Sequence, residues 1–256
     1  QQPATNPRPT QLMWYAWPRL EEWITPTQQS IMPPDVSKRA REIRDRFLGE
    51  FESMQRSPGS GQILLEDLVF VPIGPLSDGS WNVAVGHPDE EDNLPRLLED
   101  PLRPYWVSKY PITRRLYNLF DRNHQVHYED DYKKYSPEPR CPVIQANWYD
   151  AQMFSIWCRS RLLSEWEWEY ACRGNSDAKE HRELTHWQSD PENDTELEKI
   201  AWIYANSQDR TWPVDAKLEG GSHTNDFDLV DMLGNVWEWT VSTYEAGEVS
   251  RVLRGG

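Results

Sequence analysis

Residues 35–54 set Val36, Ala40, Ile43, Phe47, Leu48 and Phe51 at helical spacing with charges between them, behind Asp35 as a cap. That pattern predicts one amphipathic helix. Residues 1–34 keep no sustained period; they are an arm rich in Pro, Gln and Thr that carries Trp14, Trp17 and Trp23. Ser57-Pro58-Gly59-Ser60-Gly61 breaks the helix, so the division falls there: arm and helix over 1–60, main domain over 61–256. Beyond it the period shortens. Residues 68–71 read as a strand stopped by Pro72 and Gly74, and residues 105–107 as a second. Thr113 caps a short helix with Leu116, Tyr117 and Phe120 on one face. Asn147 caps a segment in which Ala151, Phe154, Trp157 and Cys158 share a face. Ser164 and Glu167 stand as a capping box, with Trp166 and Tyr170 one turn apart behind it and Gly174 as the stop. The acidic stretches 87–92, 128–131 and 190–198 read as solvated loops, the last able to extend a polar helix. No internal repeat or low-complexity block interrupts the series.

Composition narrows the function classes. The 256 residues hold 27 Lys and Arg against 42 Asp and Glu, a formal net charge of −15. A phosphate backbone needs a basic footprint, so nucleic acid is excluded as a partner, and docking on anionic lipid is disfavoured for the same reason. No apolar run approaches the ~20 residues a membrane span requires. Hydrophobic residues are 38 % of the chain, but 14 Trp, 11 Tyr and 6 Phe supply large units for a core. Three cysteines, Cys141, Cys158 and Cys172, are too few and too odd for a disulfide scaffold. They are expected to be buried thiols, and a reducing cytoplasm is the simpler compartment. The chain opens at Gln1 without a charged-then-apolar leader, which reads as a processed or trimmed start.

Three ordered motifs carry a family resemblance. Residues 164–174, Ser-Glu-Trp-Glu-Trp-Glu-Tyr-Ala-Cys-Arg-Gly, resemble the Thr-Glu-x-Glu-Trp-Glu-Tyr-Ala-x-Arg-Gly signature of the formylglycine-generating, or sulfatase-modifying factor, family. Residues 231–239, Asp-Met-Leu-Gly-Asn-Val-Trp-Glu-Trp, are similar to its Gly-Asn-x-Trp-Glu-Trp motif, and residues 251–256 to the start of its Arg-Gly-Gly strand. Weaker matches lie at 70–74, 110–113 and 142–151, so the resemblance covers about residues 68–256 in order. It implies an α+β, irregular C-type-lectin-like fold of the formylglycine-generating enzyme type, here with an N-terminal helical extension. Members include oxidases that make formylglycine with copper and oxygen, halves of sulfoxide synthases, and variable proteins of diversity-generating retroelements, which are binding domains. Fold alone does not choose among them.

What the resemblance implies about chemistry is specific. The oxidases hold Cu(I), a soft ion suited to sulfur, on two thiolates downstream of the Arg-Gly-Gly strand, and this sequence ends at Gly256 with neither. Cys158 and Cys172 instead match positions that, in secreted members, form disulfides to that later region. The expectation is therefore a non-catalytic ligand-binding domain with its C-terminal part missing, binding a protein or partner subunit, calcium binding included. The alternative is a copper-dependent oxidase with catalytic cysteines beyond the sequence. The N-terminal helix either docks a partner or packs on its own domain. An iron site would need a Glu two residues after His127, which is absent, and His87, His124, His127, His181, His186 and His223 are expected to be satisfied surface residues. For Ca²⁺ the matching ligands are the carboxylates of Asp231 and Glu238 and the main-chain oxygens of Gly234 and Val236, an all-oxygen set such an ion favours. Without an ion the two acids would repel unless a basic group intervened, Arg254 being a candidate. A second calcium position keeps only Asn206 and is not expected. Between Cys158 and Arg161 the sequence is several residues shorter than the family's, by deletion or by joining across a missing loop.

Overall fold

Local capping decides the two longest helices. In the computed structural model, Asn147 and Asp150 cap each other's backbone at the start of a helix, and Ser164 and Glu167 do so at the start of another. Each such box satisfies orphan amides of the first turn and contributes on the order of 1 kcal/mol. The structure describes residues 63, 66–75, 81, 84–85, 96–97, 102–158, 160–174, 197–216, 222–244 and 250–256. The expected helix over 35–54, the division near residue 60 and the acidic stretch 87–92 lie outside the described residues, as does most of 190–198.

Chain order gives β1 (Phe70–Ile73), β2 (Ala84–Val85), β3 (Arg96–Leu97), β4 (Tyr105–Ser108), α1 (Arg114–Phe120), α2 (Arg122–His127), α3 (Glu129–Tyr135), α4 (Trp148–Trp157), α5 (Glu165–Arg173), β5 (Trp237–Thr243) and β6 (Arg251–Gly255). The strands form three antiparallel ribbons, β1 with β4, β2 with β3, and β5 with β6, the last broken by a register shift between Trp239 and Thr243. Two apolar clusters hold these pieces. One gathers Leu68, Leu116, Tyr117, Phe120, Met153, Phe154 and Trp157 between α1 and α4. The other gathers Ile73, Tyr105, Val107, Trp168, Tyr170, Leu229 and Met232 between α5 and the first ribbon. Polar tips of the aromatics tie the layers together: the Tyr105 hydroxyl donates to the Glu167 carbonyl at 2.6 Å and that of Tyr170 to the Gly74 carbonyl at 2.9 Å. Among the described residues no helix is long and apolar enough to cross a membrane.

Several expectations shift. The first strand runs from Phe70 to Ile73 and includes Pro72. Among the described residues β1 has a ladder partner on one side only, so the missing N–H of an exposed Pro72 is tolerated there. Residues 122–135 are helical rather than a loop. Asp121 accepts from the amides of Asn123 and His124 at the start of α2. In α3, Glu129, Asp130 and Asp131 sit in the first turn and Lys133 and Lys134 in the last, the signs the helix dipole favours. Lys133 also reaches Glu129 at 2.7 Å. His124 is not a surface residue but fully buried, its Nε2 3.3 Å from the Gln145 carbonyl and its Nδ1 3.0 Å from the Tyr132 hydroxyl. α4 is buried on more than one face, since Asp150, Met153, Ser155 and Ile156 are covered along with Phe154 and Trp157. In α5, Trp168 goes into the core with Tyr170, and Trp166 packs half-buried against the same cluster.

Candidate functional site

The motif helix and the motif strand meet at one hydrogen bond. Trp168 Nε1 donates to Glu238 Oε2 at 2.8 Å, which places the Glu238 carboxyl inside the protein behind β5. Burial pushes it up to about 7, the Trp168 N–H opposes that rise, and the negative charge of Asp231 adds to it. Asp231 is itself buried, and its two oxygens are taken by His223 Nδ1 at 2.5 Å and by the Asn235 amide at 2.8 Å. His223 is therefore the basic group that meets Asp231. Arg254 lies opposite Glu238 across the ribbon, 5.2 Å over the Trp168 ring, and its guanidinium bonds Glu169 and approaches Glu165 at 3.9 Å.

The turn between Asp231 and Glu238 is built from left-handed residues: Asp231 at φ 56°, Gly234 at 73° and Asn235 at 62°. Gly234 is required there twice over, because a Cβ would lie 2.3 Å from the Trp202 carbonyl oxygen. Asn235 then acts as a staple. Its amide nitrogen donates to the Trp202 carbonyl at 2.7 Å, and its side chain accepts from Trp212 N at 2.9 Å and donates to Trp212 O at 3.0 Å. The main-chain oxygen of Gly234 accepts from Val236 N at 2.7 Å and that of Val236 from Gly256 N at 3.1 Å.

All four oxygen donors inferred for calcium thus come from one turn, and the donor set suits a hard cation: two carboxylates, one buried with a single neutral donor, and two carbonyls that each retain a lone pair. Among the described residues no three His, Cys, Asp or Glu side chains gather in a cluster, so an ion here would rest on that mixture of carboxylates and carbonyls. Asn206 is occupied otherwise, accepting from Ile203 N and donating to the carbonyls of Glu198 and Ala201.

All three cysteines are free and buried. Burial pushes the thiols of Cys158 and Cys172 far up, with the Glu238 charge adding to Cys172, and raises Cys141 as well. The thiolate form is what attacks or exchanges, and burial disfavours it at all three.

In front of β5 lies a groove of about 640 Å³, walled by Phe70, Ile112, Phe154, Trp239 and Leu253 and rimmed by Trp106. Trp106 is 46 % exposed and Trp237 66 %. Both depart from the expectation that the aromatics serve as core. Alternation along β5 would have flagged Trp237, since Glu238 faces inward. Nothing local in the sequence points to His223 as the partner of Asp231.

Residues 53–256 match the sulfatase-modifying factor enzyme 1-like domain. This chain belongs to the sulfatase-modifying factor family. Among curated relatives, it is 34 % identical over 125 residues to the inactive Cα-formylglycine-generating enzyme 2 of Bos taurus, 44 % of this chain and 37 % of that one. It is 35 % identical over 107 residues to the formylglycine-generating enzyme of Mycobacterium tuberculosis, 40 % of this chain and 34 % of that one. The family member described here thus spans little more than a third of the length of either. Among solved structures it resembles Treponema denticola variable protein 1, with a TM-score of 0.52 at 23 % identity over 73 % of this chain and 82 % of that one. The fold is the irregular, C-type-lectin-like α+β arrangement of this family.

Proposed function

We propose that this chain is a non-catalytic, ligand-binding member of the sulfatase-modifying factor family whose ligand is a protein. The observation that carries the reading is kinship with a relative named inactive. The three thiols present are buried, and by the resemblance none stands at the positions that hold the soft ion in the family's oxidases. A retroelement-diversified variable protein is the finer form of it, supported by the shared fold alone. The apolar groove beside Trp106 is the surface we assign to the ligand, because aromatic anchors in a concave apolar patch are what protein interfaces concentrate. Selection of the chain against a displayed random-peptide library tests this. Enriched peptides should lose at least tenfold in affinity with Trp106→Ser or Leu253→Ser. No enrichment, or enrichment blind to both changes, contradicts the assignment.

Calcium belongs to the same proposal, held by the Asp231 and Glu238 carboxylates and the Gly234 and Val236 carbonyls. The ion would supply the positive charge that Glu238, met only by the Trp168 N–H, lacks. In chelator, Glu238 has a folded pKa of about 7 against an ordinary 4.5, so the native state loses stability as pH rises through that window. The gap corresponds to about 3 kcal/mol above pH 7. Calcium should therefore raise the melting temperature most at pH 8 and least near pH 5, and Glu238→Ala should lower the melting temperature measured in calcium and abolish the calcium shift. Melting that is the same with calcium and with chelator at both pH values would refute the site.

A further inference from the structure

We propose that His124 is a proton-operated latch between the α2–α3 pair and the loop before α4, its protonated ring closing one hydrogen bond more than its neutral ring can. The side chain is 1 % exposed. Its Nε2 lies 3.3 Å from the Gln145 carbonyl and its Nδ1 3.0 Å from the Tyr132 hydroxyl, which donates in turn to the Ile144 carbonyl at 3.2 Å. Each of these three contacts needs a proton between its heavy atoms. A neutral imidazole carries one N–H and the phenol one O–H, so two protons serve three contacts. With the ring proton on Nε2, the phenol must choose between Nδ1 and the Ile144 carbonyl. With it on Nδ1, the Gln145 carbonyl loses its imidazole donor. The imidazolium has both N–H groups, and all three contacts close together. The added proton comes from solvent, and no group in the set gives one up.

Both carbonyls belong to the same turn. Gln145 stands at φ 59°, a region that residues other than glycine seldom occupy. Its side chain donates to Asp131 at 3.0 Å. The next carbonyl, that of Ala146, accepts from Trp239 Nε1 at 2.9 Å, and Asn147 caps α4. Residues 143–146 also line the groove in front of β5, so the latch acts on one of its walls.

The surroundings of the ring divide by sign. From α1, the Tyr117 ring stands edge-on with centroids 5.0 Å apart, and the Arg114 guanidinium lies 5.6 Å over the Tyr132 ring. At the start of α2, the Asp121 carboxylate accepts from the His124 amide, and at its end His127 packs on Tyr128. Tyr128 itself stands 5.0 Å from the His124 ring. The carboxylates of Asp121 and Asp131 and the aromatic rings favour a cation, whereas Arg114, a charged His127 and burial oppose it. The extra bond is made only by the charged form, and charge-assisted bonds are the stronger kind.

Nitrogen-15 NMR of the histidine rings in the full chain, from about pH 8 to about pH 5, tests the latch. The His124 ring, assigned by its contact with Tyr117, should pass from one tautomer to the doubly protonated form within that range. Tyr132→Phe keeps the shape and removes the acceptor of Nδ1–H, so the midpoint should fall by about one pH unit. A ring that keeps a single tautomer throughout, or a midpoint that Tyr132→Phe leaves in place or raises, overturns the proposal. The effect on binding rests on the groove reading: peptides selected there should bind about fivefold tighter near pH 5.5 than near pH 7.5, and Tyr132→Phe should shrink that ratio. A ratio blind to Tyr132→Phe overturns the coupling. The NMR titration needs no ligand, so failure of the latch and failure of the groove are told apart.

Discussion

Gly234→Ala should destabilise the protein by about 4 kcal/mol or more, enough to prevent folding of a domain of ordinary stability. Two penalties act together. Alanine at φ 73° is strained by on the order of 1–2 kcal/mol. Its methyl group would also meet Trp202 main-chain atoms at 2.3, 2.9 and 2.9 Å, and backbone held by the Asn235–Trp202 and Asn235–Trp212 bonds cannot move aside cheaply. Gly74→Ala is the matched control, since a Cβ there meets nothing within 4 Å; it should change stability by no more than about 0.5 kcal/mol. Urea denaturation of both variants decides the matter. If the two unfold alike, the close approach of segment 202 to the motif turn is wrong.

Asp67→Ala should be the other large loss, about 3–5 kcal/mol. Its fully buried carboxylate accepts from the Thr113 hydroxyl at 2.5 Å and from Arg115 Nε and Nη2 at 2.6 Å each, with Arg140 Nε at 3.6 Å. Thr113 in turn caps α1 through the Leu116 amide. Removing the carboxylate takes the acceptor from the Thr113 hydroxyl and from Arg115 Nε, leaving Arg115 with Glu66 alone and Arg140 with Asp215, at the point where the segment before β1 joins α1. Glu66, which shares Arg115 at 2.7 Å but is more than a third exposed, is the comparison; Glu66→Ala should cost at most about 1 kcal/mol. Equal losses at 66 and 67 would show that burial does not distinguish the pair.

The parts legible in sequence were those that neighbours in the chain determine. Asn147 as a cap marked the start of α4, the Ser164–Glu167 pair that of α5 and Thr113 that of α1, because a cap is a contact between residues a turn apart. Residues 122–135 were opaque for the opposite reason. Their charged composition reads as loop, and beside the Asp121 cap and the dipole-matched charges they are held by His124 and Tyr132 against Ile144 and Gln145, partners outside those helices. Asp231 and Glu238 were legible as a pair through motif spacing. The partners that set their electrostatics, His223 and Trp168, could be found only once the turn had brought segments together. Trp106 and Tyr204, both exposed, show the same limit: an aromatic letter does not say which side of a strand or turn it will occupy.

Exposure of a cysteine-containing Cys-x-Pro-x-Arg peptide to the full chain with Cu(I) and oxygen supplied, followed by mass spectrometry of the peptide, reaches the heart of the functional proposal. A non-catalytic member of the family should return the peptide unchanged. Conversion of the peptide cysteine to an aldehyde, at turnover above that of copper without protein, would contradict the account.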